Sequence, residues 1–218
     1  MALTNSAGGP HHGRPILAGG EPLETAKAAM IMVHGRGASA DDILTLTQFF
    51  DTPGLAYLAP QAAQNTWYPY SFLAPIDQNE PNLSSALATV KGLLALTTEA
   101  GLPPEKTILL GFSQGGCLAS EFAARHARRY GGLIVFSGGL IGPPGTPRNY
   151  TGSLDGTPIF LGCSNIDFHI PEERVHESAA TFEKMGAVVT TRIYPNMGHT
   201  IIQDEIDHAR QIIEAVLA

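Results

Sequence analysis

Ser113 lies in the run Gly111-Phe112-Ser113-Gln114-Gly115, a Gly-x-Ser-x-Gly pattern that suits a serine hydroxyl to attack a carbonyl carbon. The run Thr107-Ile108-Leu109-Leu110 precedes it, and an alanine-rich segment ending near Arg129 follows it. That context is a strand-to-helix junction, where a strained turn pushes the hydroxyl out at the edge of a sheet. Glycines two residues to either side let the neighbouring strand and helix come close. With 24 Gly in the 218 residues, chance alone supplies about 0.13 such patterns, so the surroundings must decide its meaning.

A serine hydroxyl needs a base to take its proton, and that base needs an acid to orient it. Asp167 follows the apolar run Pro158–Gly162, and His199 follows the run Val188–Tyr194. Both would lie at carboxyl ends of strands, on the same sheet edge as Ser113, in the order nucleophile, acid, base. Among rival acids, Asp155 precedes its strand, Glu172 and Glu173 suit the first turn of a helix, and position 165 is Asn165. Among the eight histidines, His11 and His12 fall in a tail, and His126, His176 and His208 fall in helices as surface groups. His34 precedes the nucleophile in the chain, and His169 is expected at the border of the cleft as a substrate contact. Asp167 and His199 are therefore the expected partners of Ser113.

Negative charge developing on a carbonyl oxygen needs preorganised N–H donors. The main-chain N–H of Gln114, at a helix start, is one candidate. The other is that of Arg36, in the turn His34-Gly35-Arg36-Gly37 after the first long strand. The Arg36 side chain is either a solvated surface group, the reading favoured here, or an anchor for a substrate carboxylate. Trp67, Tyr68 and Phe72 either wall the cleft for the acyl or alcohol part or pack their loop onto the sheet.

Strands are expected at Ala28–Val33, Leu55–Ala59, Thr107–Phe112, Leu133–Phe136, Pro158–Gly162 and Val188–Tyr194, mostly apolar throughout. Helices are expected at about 40–50, 82–100, 114–129, 172–186 and 200–217, with Asn82, Ser84 and Ser85 capping the second. The alternation predicts an α/β fold with a doubly wound, mainly parallel sheet. Residues 1–27 are expected as an N-terminal tail with a short leading strand around Pro15–Ala18, and 28–218 as a single domain. The long irregular segments 60–81 and 137–156 emerge at the ligand-binding edge; loops of that length either line a binding site or are mobile, and a shallow, open cleft is expected there.

A formal charge of −7 argues against nucleic acid as a partner. No run of 18 apolar residues predicts a membrane span, and the first 26 residues lack a secretory pattern. Cys117 and Cys163 make no disulfide framework, so a cytoplasmic location is expected. No zinc-type spacing links His34, His169 and His199, so neither metal nor cofactor is expected.

Gly-Phe-Ser-Gln-Gly-Gly at 111–116, together with His34-Gly35-Arg36-Gly37, resembles the phospholipase/carboxylesterase family, which includes the acyl-protein thioesterases. Asp167-Phe168-His169-Ile170-Pro171 is similar to the family's Asp-x-x-Val-Pro segment, and Gly198-His199 to its histidine loop. The resemblance runs from about residue 28 to the end. It implies a lidless α/β-hydrolase fold, a Ser113–Asp167–His199 triad, metal-independent cleavage of a small-molecule ester, and a homodimer. Arg36 and Ala38 stand where the thioesterases carry an apolar residue and an acid, which favours a bacterial carboxylesterase branch. Related dienelactone hydrolases would carry cysteine in place of Ser113. The expected activity is hydrolysis of small to medium acyl esters through an acyl-enzyme on Ser113. The alternative is a thioesterase or lysophospholipase using the same three residues.

Overall fold

The computed structural model describes residues 8–50 and 52–218. Seven strands form one sheet: β1 (Ile16–Gly20), β2 (Ala28–Val33), β3 (Leu55–Pro60), β4 (Thr107–Phe112), β5 (Gly132–Phe136), β6 (Pro158–Ser164) and β7 (Val188–Tyr194). Their order is β1-β3-β2-β4-β5-β6-β7; β1 runs antiparallel to β3, and all other pairs are parallel. The mainly parallel α/β sheet expected from the alternation of elements is therefore present, in the α/β-hydrolase architecture that the resemblance implies. Every residue of β2, β3 and β5 is buried, which is why these segments read as unbroken apolar runs.

Alternate strand residues face two cores. On one face Ile31, Val33 and Leu58 pack with Leu83 and Val90 of α2 (Asn82–Glu99), Phe122 of α3 (Gln114–Arg125) and Phe182 of α4 (Glu172–Lys184). On the other, Met30, Met32 and Tyr57 pack with Ile43 of α1 (Ala40–Leu44) and Ile206 and Ile213 of α5 (Gln203–Leu217). Each fully buried side chain of this size is worth about 1.5–3 kcal/mol, so covering both faces fixes the sheet and the direction of its strand ends. Because β2 and β4–β7 are parallel, the turns carrying His34, Ser113, Asp167 and His199 all emerge at one edge.

The structure departs from the sequence expectations at several ends. The helix expected at 40–50 is α1 followed by a 3₁₀ turn at Thr45–Phe49, and α3 ends at Arg125, short of 129. Neither Asn82, Ser84 nor Ser85 caps α2; instead the Glu80 carboxylate accepts the Ser84 N–H at 3.0 Å and its hydroxyl at 2.8 Å. A carboxylate near a helix N-terminus is the stronger partner for the free donors there. The N-terminal segment is docked from His11 onward. The His11 ring donates to the Trp67 carbonyl at 2.8 Å and accepts the Ala63 N–H at 3.0 Å, while the His11 N–H donates to the Ser85 hydroxyl. His11, expected only as part of a tail, is thus a buried brace, because two main-chain groups need its two ring nitrogens. Residues 1–7 of the expected tail lie outside the described residues. No helix among the described residues is long and apolar enough to cross a membrane.

Candidate active site

Ser113 joins β4 to α3 with φ 55° and ψ −121°, a region that a residue with a side chain enters only under strain. The turn is held by the Ser113 N–H on the Phe136 carbonyl and the Cys117 N–H on the Ser113 carbonyl, both at 2.9 Å. A Cβ at Gly115 would overlap the Val33 carbonyl, and one at Gly111 would overlap the Gly115 carbonyl. Glycine at both positions is what lets strand and helix close on the serine.

Asp167, three residues past β6, has a buried side chain whose oxygens are all engaged. Oδ1 accepts the N–H groups of His169 at 2.8 Å and Ile170 at 3.1 Å. Oδ2 lies 2.6 Å from His199 Nδ1 and also receives the weak Cys163 thiol donor at 3.8 Å. Burial pushes the Asp167 carboxyl up, but the His199 ring and the two main-chain donors outweigh it and hold the group below its ordinary value. With a carboxylate against Nδ1, that nitrogen carries the proton, leaving Nε2 as acceptor. Nε2 lies 2.9 Å from Ser113 Oγ, so the serine hydroxyl donates to it. The imidazole is flanked by Phe112 and by the edge of His169, each with its ring centre 4.9 Å away. The acid and histidine loops are tied together as well. Asn165 Oδ1 accepts the Asn196 N–H at 2.9 Å, and the Ser164 hydroxyl donates to the Met197 carbonyl.

The turn after β2 is built on His34, whose ring donates to the Gly35 carbonyl at 2.8 Å and accepts the Ala62 N–H at 3.1 Å. Burial lowers the affinity of this ring for a second proton, consistent with one nitrogen donating and the other accepting. In that turn the Gly37 and Ala38 N–H groups are taken by the Asn65 and Gly35 carbonyls. The N–H groups of Arg36 and Gln114 are bonded to no protein group among the described residues. A cleft of about 440 Å³ opens beside Ser113, bordered by Arg36, Tyr68, Phe72, His169 and Ile170.

The phospholipase/carboxylesterase family model matches residues 19–217. A phospholipase/carboxylesterase of Dyadobacter fermentans DSM 18053 is 43% identical, with TM-score 0.89, over 98% of this chain and 100% of its own. The chain belongs to the phospholipase/carboxylesterase family. It is also 24% identical to the probable carboxylesterase SOBER1-like of Arabidopsis thaliana, over 84% of this chain and 76% of that one. Acyl-protein thioesterase 1 of Gibberella zeae is 27% identical over 57% of this chain and 54% of its own. As a phospholipase/carboxylesterase family member, the protein is a hydrolase of the serine type.

Within this family member, the residues expected at the cleft divide. Tyr68, Phe72 and His169 line it, whereas Trp67 does not. Trp67 is fully buried, its indole N–H donating to the His34 carbonyl at 2.9 Å, with the His11 and His34 rings packed around it. A buried indole takes the carbonyl that satisfies its N–H, and here that carbonyl lies beneath the loop. Of the two long segments, 60–81 contributes to the cleft lining and 137–156 does not. Arg36 is exposed, and its guanidinium lies at the surface along the main chain of residues 68–70, donating to three carbonyls there. The side-chain amide of Gln114 and Asn79 were not singled out from the sequence, and Cys163 was read there only as a core cysteine, with no part at the site. Only Gln114 carried a signal there, as a polar residue inside the elbow.

Proposed function

We propose that the protein is a serine carboxylesterase acting on small to medium acyl esters. The observation that carries the reading is the continuous hydrogen-bonded chain from the Ser113 hydroxyl through His199 to the Asp167 carboxylate, at 2.9 and 2.6 Å. Ser113 Oγ attacks the ester carbonyl carbon while its proton passes to His199 Nε2. The carbonyl oxygen becomes an oxyanion facing the unengaged N–H groups of Arg36 and Gln114, the latter at the start of α3, where the helix dipole adds to the field. Collapse breaks the bond to the alcohol oxygen, which takes the proton from His199 and leaves. Water then repeats the sequence on the acyl-enzyme, releasing the acid and restoring Ser113. Asp167 stays ionised throughout and holds the imidazolium. No metal or cofactor is needed for these steps.

Tyr68, Phe72 and Ile170 supply an apolar lining suited to an uncharged acyl or alcohol part. A thioester would be cleaved by the same steps with a thiol leaving, a reading supported by the similarity to the fungal thioesterase. Turnover of p-nitrophenyl butyrate should fall by about 10⁴-fold or more in Ser113→Ala. Retained turnover in that variant would remove Ser113 from the chemistry. A matched panel of oxygen and sulfur esters then separates esterase from thioesterase.

A further inference from the structure

We infer that Arg36 is a positioning residue: its guanidinium fixes segment 67–72 as a rigid wall of the cleft and thereby sets which esters fit. The inference rests on the esterase reading above. Segment 67–72 has no helix or strand of its own, so no regular ladder pairs its polar main-chain groups or fixes its path. Side chains supply them. Arg36 Nη2 donates to the carbonyls of Tyr68 at 2.9 Å and Tyr70 at 2.6 Å, and Nη1 donates to that of Pro69 at 2.9 Å. Gln114 Oε1 accepts the Trp67 N–H at 2.9 Å, and its Nε2 donates to the Tyr68 carbonyl at 2.8 Å. Asn79 accepts the Tyr70 N–H at 2.9 Å and donates to the Ser71 carbonyl at 3.0 Å.

Three consecutive carbonyls converging on one group are unlike an extended chain, where successive groups alternate in direction. Their negative ends repel one another, and the charged donors of the guanidinium at the centre offset that repulsion. Arg36 forms no ion pair among the described residues, so these three dipoles are its counter-charge. A lysine ammonium has the charge but not the planar fork that reaches three acceptors at once.

Arg36 and Gln114 are also the two residues whose main-chain N–H groups face the reacting oxygen in the proposed mechanism. The same pair therefore sets the wall and the oxyanion position in one frame. A wall fixed to that frame holds the acyl or alcohol chain at a constant distance from Ser113 Oγ, which is how a lining residue becomes a selectivity determinant.

The test uses Arg36→Met and Arg36→Lys, which keep the main-chain N–H, with p-nitrophenyl acetate, butyrate and octanoate as substrates. In both variants the octanoate-to-acetate ratio of kcat/KM should change by about tenfold or more, since an ångström of wall movement is worth that much. A change smaller than that in Arg36→Met overturns the inference. So does restoration of the wild-type ratio by Arg36→Lys, because charge alone would then suffice. Should Arg36→Met fail to fold, the lysine variant decides by the same threshold. Fluorophosphonate labelling of Ser113 in each variant, beside wild-type turnover lost in Ser113→Ala, reports on the esterase reading separately.

Discussion

Two long irregular segments, 60–81 after β3 and 137–156 after β5, leave the same edge of the sheet and have different fates. The first borders the cleft, and its residues 67–71 are clamped along the main chain by two amides, one guanidinium and the His11 ring. The second is pulled down onto α3 and α4 by paired charges. Glu121 Oε2 accepts the Ile141 N–H and the Tyr150 hydroxyl, both at 3.0 Å. Arg174 donates to the Leu140 and Gly142 carbonyls at 2.7 Å each and pairs with Glu177, which also binds Arg148. The segments meet at one bond, the Gly142 N–H on the Phe72 carbonyl at 2.7 Å. Length and position at the sheet edge thus do not make a loop part of a site. The place of its polar anchors does: Arg36 and Gln114 stand at the cleft and keep Tyr68 and Phe72 in its lining, while Glu121 of α3 and Arg174 of α4 clamp the main chain of 140–142 against the core, where Leu140 and Ile141 are buried.

The contrast breaks most visibly at Glu121. Glu121→Leu leaves the Ile141 N–H and the Tyr150 hydroxyl without their acceptor and Arg125 without its 2.7 Å partner. Losing one partner of a buried charged network costs about 3–5 kcal/mol, measurable as a lower urea midpoint. The acetate-to-octanoate preference should stay at the wild-type value, because this segment does not line the cleft. A selectivity change as large as that expected for Arg36 variants would mean that the two segments act as one.

Glu205 sharpens the comparison, being an equally buried acid without a cation. Its Oε2 accepts the Ile202 N–H at 2.9 Å, and its Oε1 finds no partner among the described residues. Burial pushes the carboxyl up to about 7 from its ordinary 4.5, against the pull of the Ile202 N–H and with help from the Asp204 carboxylate. Between those values the folded state keeps a proton that the unfolded chain has released. Stability therefore declines as pH rises from about 4.5 to about 7 and is flat beyond, on this group's account. Glu205→Gln removes that decline and should gain up to about 3 kcal/mol at pH 8, with little change at pH 4. Denaturant melts across that range check it. An unchanged slope in the variant would mean that Glu205 is ionised at no cost where it lies.

Six strands were legible in the sequence to within a residue or two: five because burial on both faces writes a nearly continuous apolar run, and the partly exposed edge strand β7 through its β-branched residues. The order Ser113, Asp167, His199 was legible for a related reason: each follows such a run. Side-chain direction in irregular segments was not. Trp67 and Phe72 lie in one loop with no period to tell inside from outside, and only the His34 carbonyl draws the indole under. The Arg36 guanidinium was unreadable because its acceptors are carbonyls 32–34 residues away, whose directions depend on a backbone that Arg36 itself helps to shape. The bracing role of His11 was unreadable for the same reason: its partners, at Ala63, Trp67 and Ser85, are non-local main-chain and hydroxyl groups.

The smallest expected effect tests whether the cleft wall is held at one point or several. Asn79 is fully buried and bonds only the wall, through the Tyr70 N–H and the Ser71 carbonyl. Asn79→Ala leaves both groups unpaired, which costs about 1–3 kcal/mol unless water enters. If the wall is one rigid body, the octanoate-to-acetate ratio should move in the same direction as in Arg36→Met, but less. Arg36 and Gln114 still pin residues 67–70 in that variant, so only the 70–72 end is released. A double variant should then fall short of the product of the two single effects, since both loosen one element. Full multiplicativity would instead describe two independent hinges, with Arg36 controlling one end of the wall and Asn79 the other.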